Sequence, residues 1–204
     1  MKALELYKQL AEIVGILLGD GSIGIYRNHQ RIKITLNAKE EEEYAKHIQT
    51  LFYQIFGVVP KIKYRIHENT LDLFIFDRKV IRLFLNEVGL VLSPKWGRAI
   101  IPNWIFERHV ENYVIRGYCD TDGSVVIAQN NGTLYPRIEM KICPSPMQAQ
   151  FIRILHEKNF KFGVYTIGKG KVRIQLNGKK QLQQWMTLIG FSNSQKLNRA
   201  KLFV

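Results

Sequence analysis

The sequence has few cysteines and no residue spacing typical of a metal or redox centre. Its 204 residues include two cysteines and five histidines. Cys119 and Cys143 are too far apart for a CxxC motif, and two lone thiols do not make a zinc ligand set. The histidines show no metal-ligand spacing either. We therefore expect both cysteines to be buried structural residues.

Long apolar segments are also missing. No run approaches the roughly 20 residues that a membrane-spanning helix requires, and no helical segment concentrates Lys and Arg on one face as membrane-surface helices do. The N-terminal residues lack the apolar core and cleavage site of a secretory signal. The sequence therefore predicts no membrane association and an intracellular protein, in the cytoplasm, the nucleoid or an organelle.

Acidic residues are scarce relative to basic ones. The chain has 30 Lys and Arg against 17 Asp and Glu, a formal net charge of +13 at pH 7. Such an excess attracts polyanions through electrostatic steering and counterion release, and nucleic acid leads that class. The 46% hydrophobic content can bury a substantial core, so we expect one or two compact domains.

The chain contains an internal repeat. Two blocks recur at a nearly constant displacement: Gly15, Asp20, Gly21, Ser22 and Ile25 recur as Gly117, Asp122, Gly123, Ser124 and Ile127, and Gly89, Ser93, Lys95, Arg98 and Ala99 recur as Gly190, Ser194, Lys196, Arg199 and Ala200. Repeats of this length indicate a duplicated structural unit. We therefore predict an N-terminal repeat (1–95), a connection (96–108) and a C-terminal repeat (109–204).

The order of predicted elements is the same in both halves. Helical and alternating apolar spacing predicts, in the first half, a helix (3–20), strands (22–27, 31–36), a helix (37–57), strands (60–66, 71–76) and a helix (77–89). The second half gives a helix (109–122), strands (124–129, 133–142), a helix from about 145, strands (161–167, 171–176) and a helix ending at Gly190. Each half reads αββαββα, which predicts an α+β fold with helices on one face of each antiparallel sheet.

Four local signals set the expected boundaries. Gly21 is placed where a left-handed helix cap is expected, and Asn28-His29 is expected to form a turn. Asn37, with Glu40 three residues later, predicts a capping box, and Ser145 before Pro146 predicts a helix start.

The predicted strands alternate apolar with basic or polar residues. This period of two puts one face on the core and leaves a cationic outer face. An ordinary solvated face is the alternative for any single strand, but a β-ribbon also fits the major groove of B-DNA. The residues predicted to contact DNA from the strands and their turns are Arg27, Arg31, Lys33, Lys61, Lys63, Arg65, Arg137, Lys141, Lys161, Lys169, Lys171 and Arg173.

Two Asp-Gly-Ser segments follow the first helix of each half. Small residues precede each one at i and i+4, namely Gly15 with Gly19 and Gly117 with Thr121. Such spacing lets two helices pack with their backbones nearly touching. Asp20 and Asp122 would then meet at the helix ends, where the helix dipoles and their own repulsion disfavour ionisation. A divalent cation such as Mg²⁺ would relieve both effects. We predict a metal site at Asp20, Asp122, Gly19 and Thr121.

These segments, Ile13–Gly21 and Ile115–Gly123, resemble the signature helices of the LAGLIDADG homing endonuclease family in its single-chain, two-motif form. The resemblance implies two antiparallel sheets forming a DNA-binding saddle, joined by the two signature helices. It also implies a metal-dependent double-strand cut in a long, pseudo-palindromic or asymmetric DNA site, leaving 3′ extensions. Mg²⁺ is the implied cofactor, with Mn²⁺ able to substitute and Ca²⁺ supporting binding without cleavage.

The resemblance also assigns roles to particular residues. Asp20 and Asp122 match the metal-binding acids, and Lys95 and Lys196, within the repeated Gly-x-x-x-Ser-x-Lys, match the active-site lysines. A lysine there would stabilise charge on the phosphate or orient water. Arg98 and Arg199, three residues further on, are candidate phosphate contacts. The chain departs from the family at the earlier acidic position, which is Leu18 in the first copy and Asp120 in the second. Asp120 lies off the helical face of Asp122, so we expect a structural or surface role for it.

Two other functions on the same fold stay open. The first is an RNA maturase that binds intron RNA and assists splicing, and the second is a catalytically inactive DNA-binding regulator. Splicing residues such as a terminal His-Asn pair are absent from the end of the chain, so we expect a free-standing, intron-encoded protein. Because two unequal halves share one chain, we expect a monomer.

Overall fold

The structure, a computed structural model, describes residues 2–27 and 29–204. Its first half contains α1 (Lys2–Leu18), β1 (Gly21–Tyr26), β2 (His29–Asn37), α2 (Glu42–Phe56), β3 (Lys61–Arg65), a 3-10 turn (Ile66–Glu68), β4 (Thr70–Ile75) and α3 (Arg78–Asn86). Then come α4 (Asn103–Glu107), α5 (Glu111–Asp122), β5 (Gly123–Asn130), β6 (Thr133–Ile142), α6 (Met147–Glu157), β7 (Gly163–Thr166), β8 (Val172–Asn177), α7 (Lys179–Leu188) and α8 (Ser194–Lys201).

The two halves build two four-stranded sheets with the same topology. One has the strand order β1-β2-β4-β3, the other has β5-β6-β8-β7, and all six pairings are antiparallel. The registers also match, because Gly21 pairs with Ile34 and Ile34 with Leu73, while Gly123 pairs with Met140 and Met140 with Ile174. The predicted α+β fold and its duplicated unit are confirmed.

Alternation along the strands decides which face meets the core. On β2, Ile32, Ile34 and Leu36 are buried, whereas the alternate residues Arg31 and Lys33 keep exposed surface. The buried face packs against the helices, where amphipathic sequences supply the opposing apolar stripe. On the other side of each sheet the alternating side chains keep exposed surface, and this side is called the open face.

The two halves meet along α1 and α5, whose backbones touch. A side chain at Gly15 would overlap the carbonyl oxygen of Val114, and one at Gly117 would overlap that of Glu12. These two contacts are equivalent under the repeat, which is the reciprocity expected at a pseudo-twofold axis. The predicted close packing of the two helices through small residues is confirmed.

The predicted boundary at Gly21 is wrong. Gly21 is the first residue of β1, and its φ is not positive. Glycine is needed there for space instead, because a Cβ would lie 2.5 Å from Cα and 2.8 Å from Cδ2 of Leu17. Of the turn predicted at Asn28-His29, Asn28 falls outside the described residues, and His29 begins β2.

The predicted capping box at Asn37 is displaced. Asn37 Oδ1 accepts N–H groups of Lys39 (2.9 Å) and Glu40 (3.1 Å), which makes a turn, and α2 begins only at Glu42. The carboxylate that accepts the N–H of Asn37 (3.0 Å) belongs to Glu41, not Glu40. Side-chain capping competes with turn formation at such residues, and here the turn prevails.

The start of α6 also differs from the prediction, and two short helices, α4 and α8, were not predicted. Ser145 does not cap α6, since its hydroxyl donates to the carbonyl of Cys143 (3.1 Å) and Pro146 holds the cap position. The connecting segment contains α4. Beyond Gly190 a further helix, α8, starts after Asn193, which accepts the N–H groups of Gln195 and Lys196. No helix of residues 2–27 and 29–204 is long and apolar enough to cross a membrane.

Candidate active site and nucleic-acid interface

Asp20 and Asp122 lie at the C-terminal ends of the two packed helices. Asp20 occupies the turn between α1 and β1, and Asp122 is the last residue of α5. An added Cβ at Gly19 would overlap the hydroxyl of Thr121 and lie 3.6 Å from the backbone nitrogen of Asp122. The close helix packing therefore brings the ends of the two Asp-Gly-Ser segments together, as the sequence predicts.

Both carboxyl groups resist ionisation. Burial, then the charges of Asp122 and Glu41, raise the pKa of Asp20 to about 7, against the opposing charges of Lys196 and Lys95. Burial also raises the pKa of Asp122, and Lys95 and Lys196 oppose that shift. Both residues nevertheless keep exposed surface, and Asp122 lines an open cleft.

Lys95 and Lys196 make matching contacts to the ends of the two helices. The ammonium group of each donates to three backbone carbonyls: Lys95 to Leu17 (2.9 Å), Leu18 (2.7 Å) and Gly19, and Lys196 to Cys119 (2.9 Å), Asp120 (2.6 Å) and Thr121 (3.1 Å). An ammonium has three N–H donors, so all of them are engaged. Each lysine therefore places a fixed positive charge at the negative end of a helix dipole. Burial lowers the pKa of Lys95, although Asp122 and Asp20 oppose that shift.

The donor set suits a hard divalent cation. Within residues 2–27 and 29–204, no group of three or more His, Cys, Asp and Glu side chains could hold a metal ion. Two carboxylates with raised pKa values are a fitting partial ligand set for Mg²⁺, which prefers oxygen and retains several waters. The carbonyls of Gly19 and Thr121 each accept a lysine N–H, and a carbonyl has a second lone pair for another partner.

A cleft of about 630 Å³ opens beside Asp122. Its basic lining residues are Lys95, Lys141, Lys171 and Arg173, and Gly19, Trp96, Tyr118 and Cys143 also line it. The large apolar ring of Trp96 favours a buried position, but Trp96 is 47% exposed at the cleft. Cys119 is buried as expected, whereas Cys143 is only half-buried and reaches the cleft wall.

Most of the predicted DNA-contacting residues lie on the open faces of the two sheets. The pairing register puts Arg31 and Lys33 of β2 and Lys61, Lys63 and Arg65 of β3 on one open face, and Arg137 and Lys141 of β6 and Arg173 of β8 on the other. The guanidinium carbon of Arg31 lies 5.2 Å from the ring centre of Tyr26 and 5.6 Å from that of Phe74. That of Arg173 lies 5.6 Å from the ring centre of Tyr165. The cations are thus held above aromatic rings.

The remaining predicted contacts lie in turns or outside the sheets. Arg27 and Lys169 have positive φ values in the hairpin turns after β1 and β7, Lys171 follows in the second turn, and Lys161 precedes β7. Arg98 donates to the carbonyls of Leu92 (2.9 Å) and Pro94 (2.8 Å), so it holds its own loop together. Arg199, its counterpart in the repeat, is exposed in the last turn of α8.

Two buried acids on the open faces were not identified from the sequence. Asp72 on β4 is paired with Arg65 (Nε to Oδ2, 2.9 Å) and accepts the hydroxyl of Thr35 (2.7 Å). Glu139 on β6 is paired with Arg137 (2.5 Å) and accepts the amide of Gln175 (2.7 Å). The signal was present, since each acid stands at a position where the alternation calls for an outward side chain.

The contribution of Glu41 was not predicted from the sequence, and the role of Asp120 was predicted only in part. The helix dipole accounts for an acidic run at the start of α2, yet Glu41 acts on Asp20 and accepts the side-chain amide of Asn193 (2.8 Å) from the other half. Asp120 is fully buried, and its carboxylate accepts the N–H of Ser192 (2.7 Å). Of the two roles expected for Asp120, the contacts correspond to the structural one.

The sequence profile of the LAGLIDADG DNA endonuclease family matches residues 11–183. The chain belongs to this family. A curated relative, a DNA polymerase of Thermococcus kodakarensis, is 26% identical over 93% of the chain. The chain spans only 12% of that relative's length.

Solved LAGLIDADG structures share the fold. The homing endonuclease I-WcaI bound to its DNA recognition sequence has a TM-score of 0.58 at 15% identity, covering 93% of this chain and 85% of that one. The LAGLIDADG homing endonuclease I-LtrWI bound to target DNA has a TM-score of 0.61 at 12% identity, covering 97% and 89%. I-SmaMI bound to uncleaved DNA with calcium ions has a TM-score of 0.59 at 12% identity, covering 94% and 89%. Both the two-motif family assignment and the fold are confirmed.

Proposed function

We propose that this protein is a site-specific homing endonuclease that makes a divalent-metal-dependent double-strand cut in a long, pseudo-palindromic or asymmetric DNA site. The observation that carries the proposal is the convergence of Asp20 and Asp122 at the ends of two packed helices, beside sheets with basic open faces. Two carboxylates in this position repel each other, and a divalent cation removes that repulsion. Their retention in both repeats favours a catalytic protein over an inactive regulator.

The chemistry assigned to the site is phosphodiester hydrolysis. Bound Mg²⁺, for which Mn²⁺ can substitute, would polarise the scissile phosphate and a bound water. Asp20 and Asp122 would hold the cation, assisted by the carbonyls of Gly19 and Thr121, while Lys95 and Lys196 would keep a positive charge near the phosphate. On each strand one water adds to phosphorus and one P–O ester bond breaks, which gives a phosphomonoester and a hydroxyl. The family resemblance further assigns 3′ extensions to the product.

Recognition is assigned to the open faces of the two sheets. Lys and Arg there supply both sequence-independent phosphate contacts and candidate base contacts in the major groove. We propose that residues 1–95 and 109–204 act as two half-site readers joined by residues 96–108, so that a monomer covers the whole site. The expectation of an intron-encoded protein stays a prediction.

The test compares three Asp→Asn variants taken from the same two motifs. Asp20→Asn and Asp122→Asn should lose cleavage of a duplex selected from a randomised library, yet still bind it in Ca²⁺. Asp120→Asn is the matched control, because its amide oxygen can still accept the N–H of Ser192, and it should cut. Wild-type cleavage rates in both Asp20→Asn and Asp122→Asn would show that these acids are not the catalytic pair. Stronger binding to folded intron RNA than to the duplex would instead favour the maturase.

A further inference from the structure

The C-terminal end of α1, with Asp20, and that of α5, with Asp122, lie near different charged residues, although the repeat relates the two positions. The strand register identifies the equivalent positions, because Gly21, Ile34 and Leu73 in one sheet match Gly123, Met140 and Ile174 in the other. The adjacent pair of residues in each sheet, one position further along the strands, has its side chains on the open face. That pair is Thr35 opposite Asp72 in the first sheet and Lys141 opposite Arg173 in the second.

The difference extends to a third position. Lys171 precedes Arg173 by two residues, as Thr70 precedes Asp72. The C-terminal repeat therefore carries three cations where the N-terminal repeat carries two hydroxyls and a carboxylate. In the first sheet Asp72 accepts the hydroxyl of Thr35 (2.7 Å) and is paired with Arg65 (2.9 Å). Lys63 lies opposite Asp72, where the second sheet has the uncharged Tyr165 opposite Arg173. The cation of Arg65 is therefore engaged by Asp72, whereas no carboxylate stands among Lys141, Lys171 and Arg173 at the equivalent three positions.

The three cations of the C-terminal repeat line the cleft beside Asp122. The charges of Lys171 and Lys141 act on the Asp122 carboxylate, together with those of Lys95 and Lys196. Near Asp20 the added charge is negative, since it comes from Glu41. Glu41 is fixed there by the N–H of Asn37 (3.0 Å) and the side-chain amide of Asn193 (2.8 Å).

The basic cleft is held in shape by neutral hydrogen bonds. Tyr118 of α5 donates its hydroxyl to the carbonyl of Lys141 (2.7 Å). The Gln148 amide donates to the carbonyls of Ile142 (3.2 Å) and Gly170 (2.9 Å), which ties the end of β6 to the turn before Lys171. The Lys171 ammonium lies 5.0 Å from the centre of the Trp96 ring. A preorganised cationic pocket binds a phosphate more strongly than a solvated one.

We propose that the cleft formed by Lys141, Lys171 and Arg173 is a backbone-phosphate site without an equivalent in the N-terminal repeat, so that the two DNA strands are cut at unequal rates. The inference rests on the proposed nuclease function. The strand whose phosphate enters this cleft has extra cations close to the developing charge, and it is cut first. A nicked duplex is then an intermediate of the reaction.

The experiment follows both strands separately. A duplex from the randomised-library selection carries a different dye on each strand, and cleavage is measured under single-turnover conditions with Mg²⁺ at saturating protein. The wild-type protein should cut one strand at least about tenfold faster, since one well-placed charge is worth that or more. Lys141→Thr/Lys171→Thr, which installs threonine as at Thr35 and Thr70, should slow that strand by a similar factor and leave the other unchanged.

Two further variants complete the design. Lys39→Thr/Lys46→Thr removes the same number of charges from exposed positions before and on α2 of the N-terminal repeat, outside the residues assigned to DNA contact, and should leave the ratio of the two strand rates at its wild-type value. Thr35→Lys/Thr70→Lys places the lysines in the N-terminal repeat, and should speed the slower strand. Binding in Ca²⁺ confirms that each variant is folded.

The outcomes separate this inference from the proposed function. Equal strand rates in the wild-type protein, or equal slowing of both strands by Lys141→Thr/Lys171→Thr, would overturn the inference while the nuclease function stands. Absence of cleavage on either strand by the wild-type protein, with Mg²⁺ and Mn²⁺ both tested, would overturn both.

Discussion

Glu12 on α1 and Arg116 on α5 form a buried ion pair across the contact between the two halves. Arg116 Nε lies 3.1 Å from Glu12 Oε2, and the other carboxylate oxygen of Glu12 lies 2.8 Å from Nε2 of His47. Glu12 is 2% exposed. The repeat places Val114 at the position equivalent to Glu12 and Val14 at that equivalent to Arg116. The ion pair is therefore available only between unlike halves, and two copies of either half would leave charges unpaired.

Arg116→Val should be far more harmful than the paired substitution Glu12→Val/Arg116→Val. The single change leaves a buried carboxylate without its main partner and should lower the free energy of unfolding by about 3 kcal/mol. The double change makes the contact apolar on both sides, as at Val14 and Val114, and should cost less than about 1 kcal/mol. Urea unfolding of both variants measures the difference. Equal losses would mean that the pair has no coupling energy.

Acid should also weaken this contact. Burial alone would raise the pKa of Glu12, but its hydrogen bond to His47 and the charge of Arg116 outweigh burial, so that its pKa is lowered. A carboxyl with a lowered pKa contributes stability above its unfolded value, and that stability is lost as pH falls through the folded value. The free energy of unfolding should therefore fall on acidification in the wild-type protein, and fall less in Glu12→Val/Arg116→Val.

Asp20 and Asp122, the proposed catalytic acids, should have the opposite effect on stability when no divalent cation is present. The pKa of Asp20 is raised to about 7, so the folded protein resists ionisation of a group that the unfolded chain ionises freely. Its contribution is therefore most favourable below the ordinary pKa of an aspartate and is lost as pH rises towards about 7. At pH 8 without metal, Asp20→Asn should melt about 2–4 °C above the wild-type protein.

Divalent metal supplies the control for this effect. Mg²⁺ should raise the melting temperature of the wild-type protein at pH 8 and not that of Asp20→Asn/Asp122→Asn, and the increase should disappear below about pH 6, where protons compete for the carboxylates. Asp120, whose pKa burial also raises to about 7, has no part in this competition. Asp120→Asn should keep the Mg²⁺ response, and an equal Mg²⁺ response in all variants would contradict the site.

Replacement of Lys95 or Lys196 should reduce cleavage without abolishing DNA binding. Lys95→Met and Lys196→Met fill similar space but leave three helix-end carbonyls and two carboxylates without the neighbouring cation. Cleavage should fall by about 10²-fold or more, and the Mg²⁺ concentration for half-maximal rate should rise. Single-turnover rates across a Mg²⁺ titration measure both. Loss of Ca²⁺-dependent binding in parallel with cleavage would point instead to a folding role.

Gly15→Ala should be more destabilising than Gly19→Ala. The new Cβ at Gly15 meets backbone, the carbonyl of Val114, with the nitrogen of Tyr118 at 2.8 Å, so the helices have to separate. At Gly19 it meets the side-chain hydroxyl of Thr121, which can move away at the cost of its hydrogen bonds to the carbonyls of Gly117 and Tyr118 without separating the helices. Thermal melts should show a loss of about 3 kcal/mol or more for the first and clearly less for the second. Similar losses would mean that the contact at Gly15 is not what holds the helices together.

The parts of this fold that depend on short-range spacing were predictable. Alternation identified the strands, small residues at i and i+4 identified the helix contact, and Asp77 caps α3 as a helix beginning there requires. The sequence also paired Asp20 with Asp122, because the repeat put both after the same glycines. These signals are local or are repeated along the chain, so one sequence is enough to read them.

The remaining features depend on contacts between residues distant in sequence. Glu41 is fixed beside Asp20 by Asn193 of the other half, whose side-chain amide donates to the Glu41 carboxylate (2.8 Å). The sequence alone does not explain an acidic residue on a basic face at Asp72; its ion pair with Arg65 and its hydrogen bond from Thr35 become visible only in the folded sheet. The lysine contacts at the helix ends were equally hidden, since Lys95 reaches back to the carbonyl of Leu17. No periodicity encodes such pairings.

Contact between the backbones of α1 and α5 at Gly15 and Gly117 leaves little room to change the spacing of the two helix ends that carry Asp20 and Asp122. Under the proposed function, the helix contact would also set the separation of the two bonds to be broken, and a bound duplex would have to deform to match it. Base pairs in the middle of a target would be selected by the free energy needed to bend or unwind them, a form of recognition that requires no contact from a side chain. At these central positions, the base pairs that the protein tolerates should be those whose base-pair steps are flexible. The flanking base pairs would instead be recognised by side-chain contacts.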